Sequence, residues 1–277
     1  MGLSVNGIEM EWRERGEGDV IVFVHGFPFN SAMWGHQLAA LPPEWRGIAV
    51  DLRGFGASEL GDEPELGMEM HSRDIARLLD QLGIERIVMC GQSMGGYVAF
   101  EFWRHFPDRV RGLVLCDTRA AADSPETQRA RHHLATRVRA EGPGPVRDAL
   151  LPKLLSPASA RKKQAGPLPM VQAMMEETSP ETMARALLGM SGRNDSEQLL
   201  RTIDVPVLVV VGSDDVITSR GQAEMLARGI RGARLESIEA AGHMAPLEQP
   251  AEFNTLLSKF LVGLPRNSLS TRSAFGI

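Results

Sequence analysis

Five stretches of this chain are apolar without a break: Val20–Val24, Gly47–Val50, Ile87–Cys90, Leu113–Cys116 and Val207–Val211. Runs of four or five such residues are what a strand looks like when both of its faces are covered. Two weaker strands join them. Ile8–Arg15 alternates and predicts a strand paired as an opening hairpin with Val20–Val24, and Arg234–Ile238 is half apolar. Between these runs the spacing changes to three and four, which predicts helices over Ser31–Leu41, Met70–Leu82, Met94–Phe106, Gln222–Arg228 and Ala251–Leu261. Strands alternating with helices give an α/β fold, a mostly parallel sheet with helices on both faces.

The alternation stops between Arg119 and Arg201. Prolines 125, 143, 145, 152, 157, 167, 169 and 180 mark breaks there, no convincing strand is present, and short helical patterns such as Thr127–Ala140 and Glu181–Met190 recur. The stretch reads as a helical cap inserted between two strands, over the sheet edge where ligands bind in open α/β folds. The expected layout is therefore a core over 1–118 and 202–263, a cap over 119–201, and a disordered tail over 264–277, which is polar and patternless. Met170, Met174 and Met190 in the cap are candidates to line an adaptable apolar substrate pocket, although methionines also serve simply as packing.

Gly91-Gln92-Ser93-Met94-Gly95 lies between the Ile87–Cys90 run and the helix that follows. A serine flanked by glycines at both second neighbours, between strand and helix, is the form of a nucleophile elbow. The glycines remove the side chains that would block so sharp a turn, and the helix N-terminus stands behind the hydroxyl. A serine hydroxyl is a weak nucleophile until an oriented base takes its proton. Ala241-Gly242-His243 follows a strand near the end of the chain and makes His243 the candidate base. Gly212-Ser-Asp-Asp215 follows the last fully apolar strand and offers two acids. Neighbouring residues point in different directions, so one can serve; Asp215 is chosen, with Asp214 turned to solvent or capping a turn. Asp117, at the end of Leu113–Cys116, is a third possibility. Candidate oxyanion donors are the backbone N–H groups of Met94 and of Phe27, in the loop His25-Gly-Phe-Pro28. His25 itself reads as a residue that fixes this loop by hydrogen bonding.

Composition narrows the ligand. At 277 residues and 43% hydrophobic content the chain can bury a large core, and its net charge of −5 with no basic cluster argues against nucleic acid or an anionic membrane surface. The first ten residues lack a signal-peptide pattern, and no apolar stretch is long enough to span a membrane, so a cytoplasmic protein is expected. Cys90 and Cys116 fall in buried strands and read as free thiols, and no cysteines or histidines stand at metal-ligand spacing, so neither metal nor cofactor is expected.

His25-Gly-Phe-Pro28, Asp51-Leu-Arg-Gly-Phe-Gly-Ala-Ser58, Gly91-Gln-Ser-Met-Gly-Gly96, Gly212-Ser-Asp-Asp-Val-Ile-Thr218 and Gly242-His243 together resemble the α/β-hydrolase superfamily. Within it the chain is similar to capped carboxylesterases, enol-lactonases and haloperoxidase-like enzymes. The resemblance implies an acid three residues after the glycine and a threonine three further on, which selects Asp215 with Thr218. It implies a structural role for Asp51–Ser58, and a turn altered only locally by Ser219 where proline is common. Cys116-Asp-Thr-Arg-Ala120 with Asp123-Ser-Pro-Glu126 also resembles bacterial short-chain carboxylesterases. The expected function is hydrolysis of small, fairly apolar carboxylic esters through an acyl-enzyme on Ser93, by a monomer or small homo-oligomer. The alternatives are a 3-oxoadipate enol-lactonase-like lactonase, which needs a cation such as Arg119, Arg131 or Arg193 for the substrate carboxylate, a perhydrolase-like side activity, and a non-catalytic receptor on the same scaffold.

Overall fold

Apolar runs covered on both faces must sit inside a sheet, and they do. The computed structural model describes residues 1–265, in which β1 (Gly2–Val5), β2 (Ile8–Arg15), β3 (Asp19–Val24), β4 (Trp45–Val50), β5 (Ile87–Gln92), β6 (Val110–Cys116), β7 (Val207–Gly212) and β8 (Arg234–Ile238) form one sheet of order β1-β2-β4-β3-β5-β6-β7-β8. Every residue of β5, β6 and β7 is buried. All pairings from β4 to β8 are parallel, whereas β1–β2 and β2–β4 are antiparallel.

The predicted hairpin of Ile8–Arg15 with Val20–Val24 does not form. β2 pairs instead with β1 and with β4, and β4 lies between β2 and β3. The reason lies in the connection. Gly16 and Gly18 both have positive φ, and a side chain on either would collide with the carbonyl of Trp45 or Glu44. The chain therefore passes across the start of β4 rather than reversing beside it.

Helices α1 (Gly35–Ala39), α2 (Met68–Gln81), α3 (Met94–His105), α9 (Arg220–Gly229), α10 (Ala245–Glu248) and α11 (Pro250–Val262) accompany the sheet. Between β6 and β7 run α4 (Pro125–Glu141), α5 (Gly144–Leu154), α6 (Pro157–Arg161), α7 (Leu168–Glu177) and α8 (Pro180–Ser191). Several of the prolines that signal breaks are helix starts. Ser124-Pro125, Ser156-Pro157 and Ser179-Pro180 open α4, α6 and α8, each serine accepting the N–H three residues on. Proline at the first helical position has lost only an N–H that would have been unpaired, and its φ already suits the helix.

This insertion is fastened to the carboxyl ends of the strands. Thr178 Oγ1 donates to Pro28 O at 2.9 Å and Thr182 Oγ1 to Gly54 O at 2.9 Å, in the loops after β3 and β4. Asn30 Nδ2 donates to Glu177 at 2.9 Å. Of the expected disordered tail, residues 266–277 lie outside the described part. Its first two residues are ordered: Leu264 is buried, and Arg111 Nη2 donates to Pro265 O at 2.6 Å.

Candidate active site

Ser93 stands between β5 and α3 with φ 53° and ψ −113°, a conformation costly for any residue with a side chain. Two glycines make it attainable. A Cβ on Gly91 would collide with the backbone of Gly95, and one on Gly95 with the carbonyl of Val24. The turn is held from β6, since Ser93 N donates to Cys116 O at 3.0 Å and Thr118 Oγ1 to Ser93 O at 2.8 Å.

The three side chains singled out in the sequence meet. His243 Nε2 lies 2.9 Å from Ser93 Oγ, and its Nδ1 lies 2.9 Å from Asp215 Oδ2. A carboxylate only accepts, so Nδ1 carries the proton and Nε2 turns its lone pair to the hydroxyl. Asp215 is fixed in turn by the N–H groups of Ile217 and Thr218, at 2.7 and 3.0 Å, and by Thr218 Oγ1 at 2.6 Å. Its neighbour Asp214 is exposed and takes only a 3.3 Å bond from Ser213. Asp117, the third candidate, is engaged elsewhere, accepting from Gly212 N at 2.9 Å, Ala245 N at 3.3 Å and the Cys116 thiol at 3.2 Å.

Burial alone would push His243 down. The Asp215 charge and hydrogen bond, with the charges of Asp117 and Glu248 beyond, outweigh it and hold the imidazole above its ordinary value. Burial likewise works against ionised Asp215, but its bonds from His243 and Thr218 hold it below the usual carboxylate range. Burial, foremost, and the Asp215 charge push Asp117 up to about 8. His25 is wholly buried; Leu52 N–H donates to its Nε2 at 3.1 Å, leaving Nδ1 to donate to Gly26 O at 2.9 Å. Both ring nitrogens are engaged, so this histidine braces its loop.

That loop lies against the serine. A Cβ on Gly26 would sit 3.2 Å from Ser93 Cβ and overlap Gln92 Oε1. Among the described residues, neither the Phe27 nor the Met94 N–H donates to a carbonyl in the turns and loops. In the insertion Met174 and Met190 are buried, whereas Met170 is 37% exposed. Met190 Sδ receives Arg131 Nη1 at 3.5 Å. Arg119, Arg131 and Arg193 converge on the buried Asp123 carboxylate, Arg119 at 2.7 Å, Arg131 at 2.5 Å and Arg193 at 2.8 Å. The Arg193 guanidinium also lies 4.1 Å from the centre of the Tyr97 ring, one helical turn past Ser93. Cys90 and Cys116 are free, buried thiols, each pushed up by burial. Among the described residues no helix is long and apolar enough to cross a membrane.

Two contributors gave no local sequence signal. Gln92 Nε2 donates to His243 O at 2.6 Å, and Glu248 accepts from Gly242 N at 2.7 Å and Met244 N at 3.3 Å. The one hint is that Glu248 directly follows the apolar segment Met244–Leu247.

The family profile described as the alpha/beta hydrolase fold matches residues 19–250. The chain belongs to the alpha/beta hydrolase family. Among solved structures this hydrolase is similar to a thermophilic esterase from Thermogutta terrifontis, with a TM-score of 0.91 and 38% identity over 95% of this chain and 97% of the other. It is similar also to the enol-lactonase of Burkholderia xenovorans LB400, with a TM-score of 0.87 and 30% identity over 95% of this chain and 100% of that one. A curated relative, 3-oxoadipate enol-lactonase 2 of Acinetobacter baylyi, is 27% identical over 91% of this chain and 92% of its own length.

Proposed function

We propose that this hydrolase cleaves small, fairly apolar carboxylic esters through an acyl-enzyme on Ser93. The observation that carries the reading is the unbroken line Ser93 Oγ, His243 Nε2 and Nδ1, Asp215 Oδ2, with both hydrogen bonds at 2.9 Å. His243 takes the Ser93 proton as Oγ attacks the ester carbonyl. The Phe27 and Met94 amides stabilise the oxyanion, and the imidazolium returns its proton to the leaving alcohol. A water, deprotonated by the same imidazole, then attacks the acyl carbonyl and frees Ser93. Asp215 stays ionised throughout and stabilises the charged ring. We assign the insertion as a cap over this centre, with Met170, Met174 and Met190 on the apolar side of the substrate pocket.

The test is hydrolysis of p-nitrophenyl acetate and butyrate at neutral pH, with turnover by the native chain and none by Ser93→Ala. Inactivity of the native chain toward both esters sinks the reading.

Lactone hydrolysis is the second reading. It is supported by the enol-lactonase relatives and by three arginines sharing one carboxylate, an excess of positive charge beginning three residues beyond β6. That excess would suit a substrate carrying a carboxylate. Faster turnover of an anionic enol-lactone than of neutral butyrate esters would favour it over the first.

A further inference from the structure

One carboxylate behind the candidate base joins two parts of the chain that are far apart in sequence. Glu248, on α10, is buried, and its Oε1 accepts the N–H of Gly242 at 2.7 Å and of Met244 at 3.3 Å, the residues on either side of His243. Its Oε2 accepts the N–H of Ser156 at 2.8 Å, in the junction between α5 and α6 of the insertion. Ser156 returns the contact, its Oγ donating to Ala240 O at 2.9 Å while accepting Ser159 N–H at 3.1 Å at the start of α6. The approach is close enough to require glycine, because a Cβ on Gly242 would lie 2.6 Å from Ser156 N and 2.8 Å from the Leu155 carbonyl carbon.

All three of these bonds bring N–H groups to the carboxylate, which suits an ionised, acceptor-only side chain. Each oxygen faces a different chain segment. Removing one acceptor would leave a buried N–H unpaired on the His243 loop or on the insertion.

We propose that Glu248 is a positioning residue for His243, clamping the loop 240–244 to Ser156 so that the imidazole is seated by the docked insertion. The proposal rests on the reading of Ser93, His243 and Asp215 given above. Glu248 acts through the loop backbone and through its charge, and it touches no reacting atom. The charged groups that face His243 are Asp215 after β7, Asp117 at the end of β6 and Glu248 on α10; all three favour the imidazolium. Loss of the Glu248 charge therefore lowers the pH at which the base becomes neutral. A side chain that merely staples the fold would not move that point.

The experiment compares the native chain, Ser93→Ala, Glu248→Gln and Glu248→Asp on p-nitrophenyl butyrate across pH, with circular dichroism on each. Glu248→Gln keeps size but gives one chain segment a donor in place of an acceptor. Its kcat is expected to fall about tenfold, as for a small misplacement of a base, with KM within a factor of about two. The acidic limb of its kcat/KM profile moves to lower pH. Glu248→Asp keeps the charge and loses the reach, so kcat falls while the limb stays where the native chain has it. Native kcat in Glu248→Asp, or a native limb in folded Glu248→Gln, overturns the proposal. Should Glu248→Gln fail to fold, the kcat of Glu248→Asp decides alone. Full activity in Ser93→Ala would instead overturn the proposed function, which the Glu248 variants do not test.

Discussion

At Asp215 the two carboxylate oxygens divide their work. Oδ1 takes the N–H groups of Ile217 and Thr218, and Oδ2 takes Thr218 Oγ1 and His243 Nδ1. An asparagine would offer one acceptor where this site needs two, and would let the imidazole adopt the wrong tautomer. Asp215→Asn is therefore expected to lower kcat by up to about 10⁴, while the exposed Asp214→Asn stays near the native rate. The reverse ranking would transfer the role to Asp214. Because the proposed base must be neutral and His243 titrates above its ordinary value, kcat/KM should reach half its plateau at a pH above that of an ordinary histidine side chain. Asp215→Asn removes the foremost charge favouring the imidazolium, so the limb of its residual activity moves to lower pH. A limb fixed in position across that substitution contradicts the assignment.

At the level of elements, a recurrent Ser-Pro pair does much of the local work in the insertion. Ser179 Oγ accepts Thr182 N–H at 3.0 Å, and Ser179→Ala should cost about 1 kcal/mol, seen as a fall of a few degrees in Tm. An unchanged Tm would mean that α8 is held by packing alone. These pairs show why the insertion was only partly legible from sequence. Proline reads as a breaker, yet it sits in the first turn of α5, α6 and α7, behind a capping serine in α6 alone, so a pattern of breaks conceals three helix starts. Strand pairing is hidden for a different reason. Alternation in Ile8–Arg15 identifies a strand but not its partner, and Gly16 and Gly18 send the chain across β4. Ser93, His243 and Asp215 were legible because each ends a strand in a short glycine-marked segment. Glu248 and Gln92 were not, since their partners lie at distant positions that no local pattern connects.

For the whole molecule, the two ends of the insertion are tied together by polar contacts as well as by packing, with Arg119 and Asp123 at its start and Arg193 towards its end. Asp123 is buried with Arg119, Arg131 and Arg193 around it. Burial opposes its charge, but the arginines hold it below the ordinary carboxylate range. The sign follows from the depressed value: this contribution is present above the unfolded carboxylate's titration and is lost as pH falls through the folded one. Asp123→Ala, which removes the carboxylate that three arginines share, should cost about 3 kcal/mol near neutral pH and less in acid. Thermal melts at both pH values check it, and an equal loss at each would show that packing, not charge, is the cause. The central claim concerns Ser93 and is most directly tested by rapid mixing with p-nitrophenyl butyrate, followed by quenching and peptide mass mapping. The account predicts a burst of one equivalent of p-nitrophenol per chain with the butyryl group on Ser93, and neither in Ser93→Ala. Multiple turnovers with no acyl group on Ser93, or an equal burst from Ser93→Ala, would contradict it.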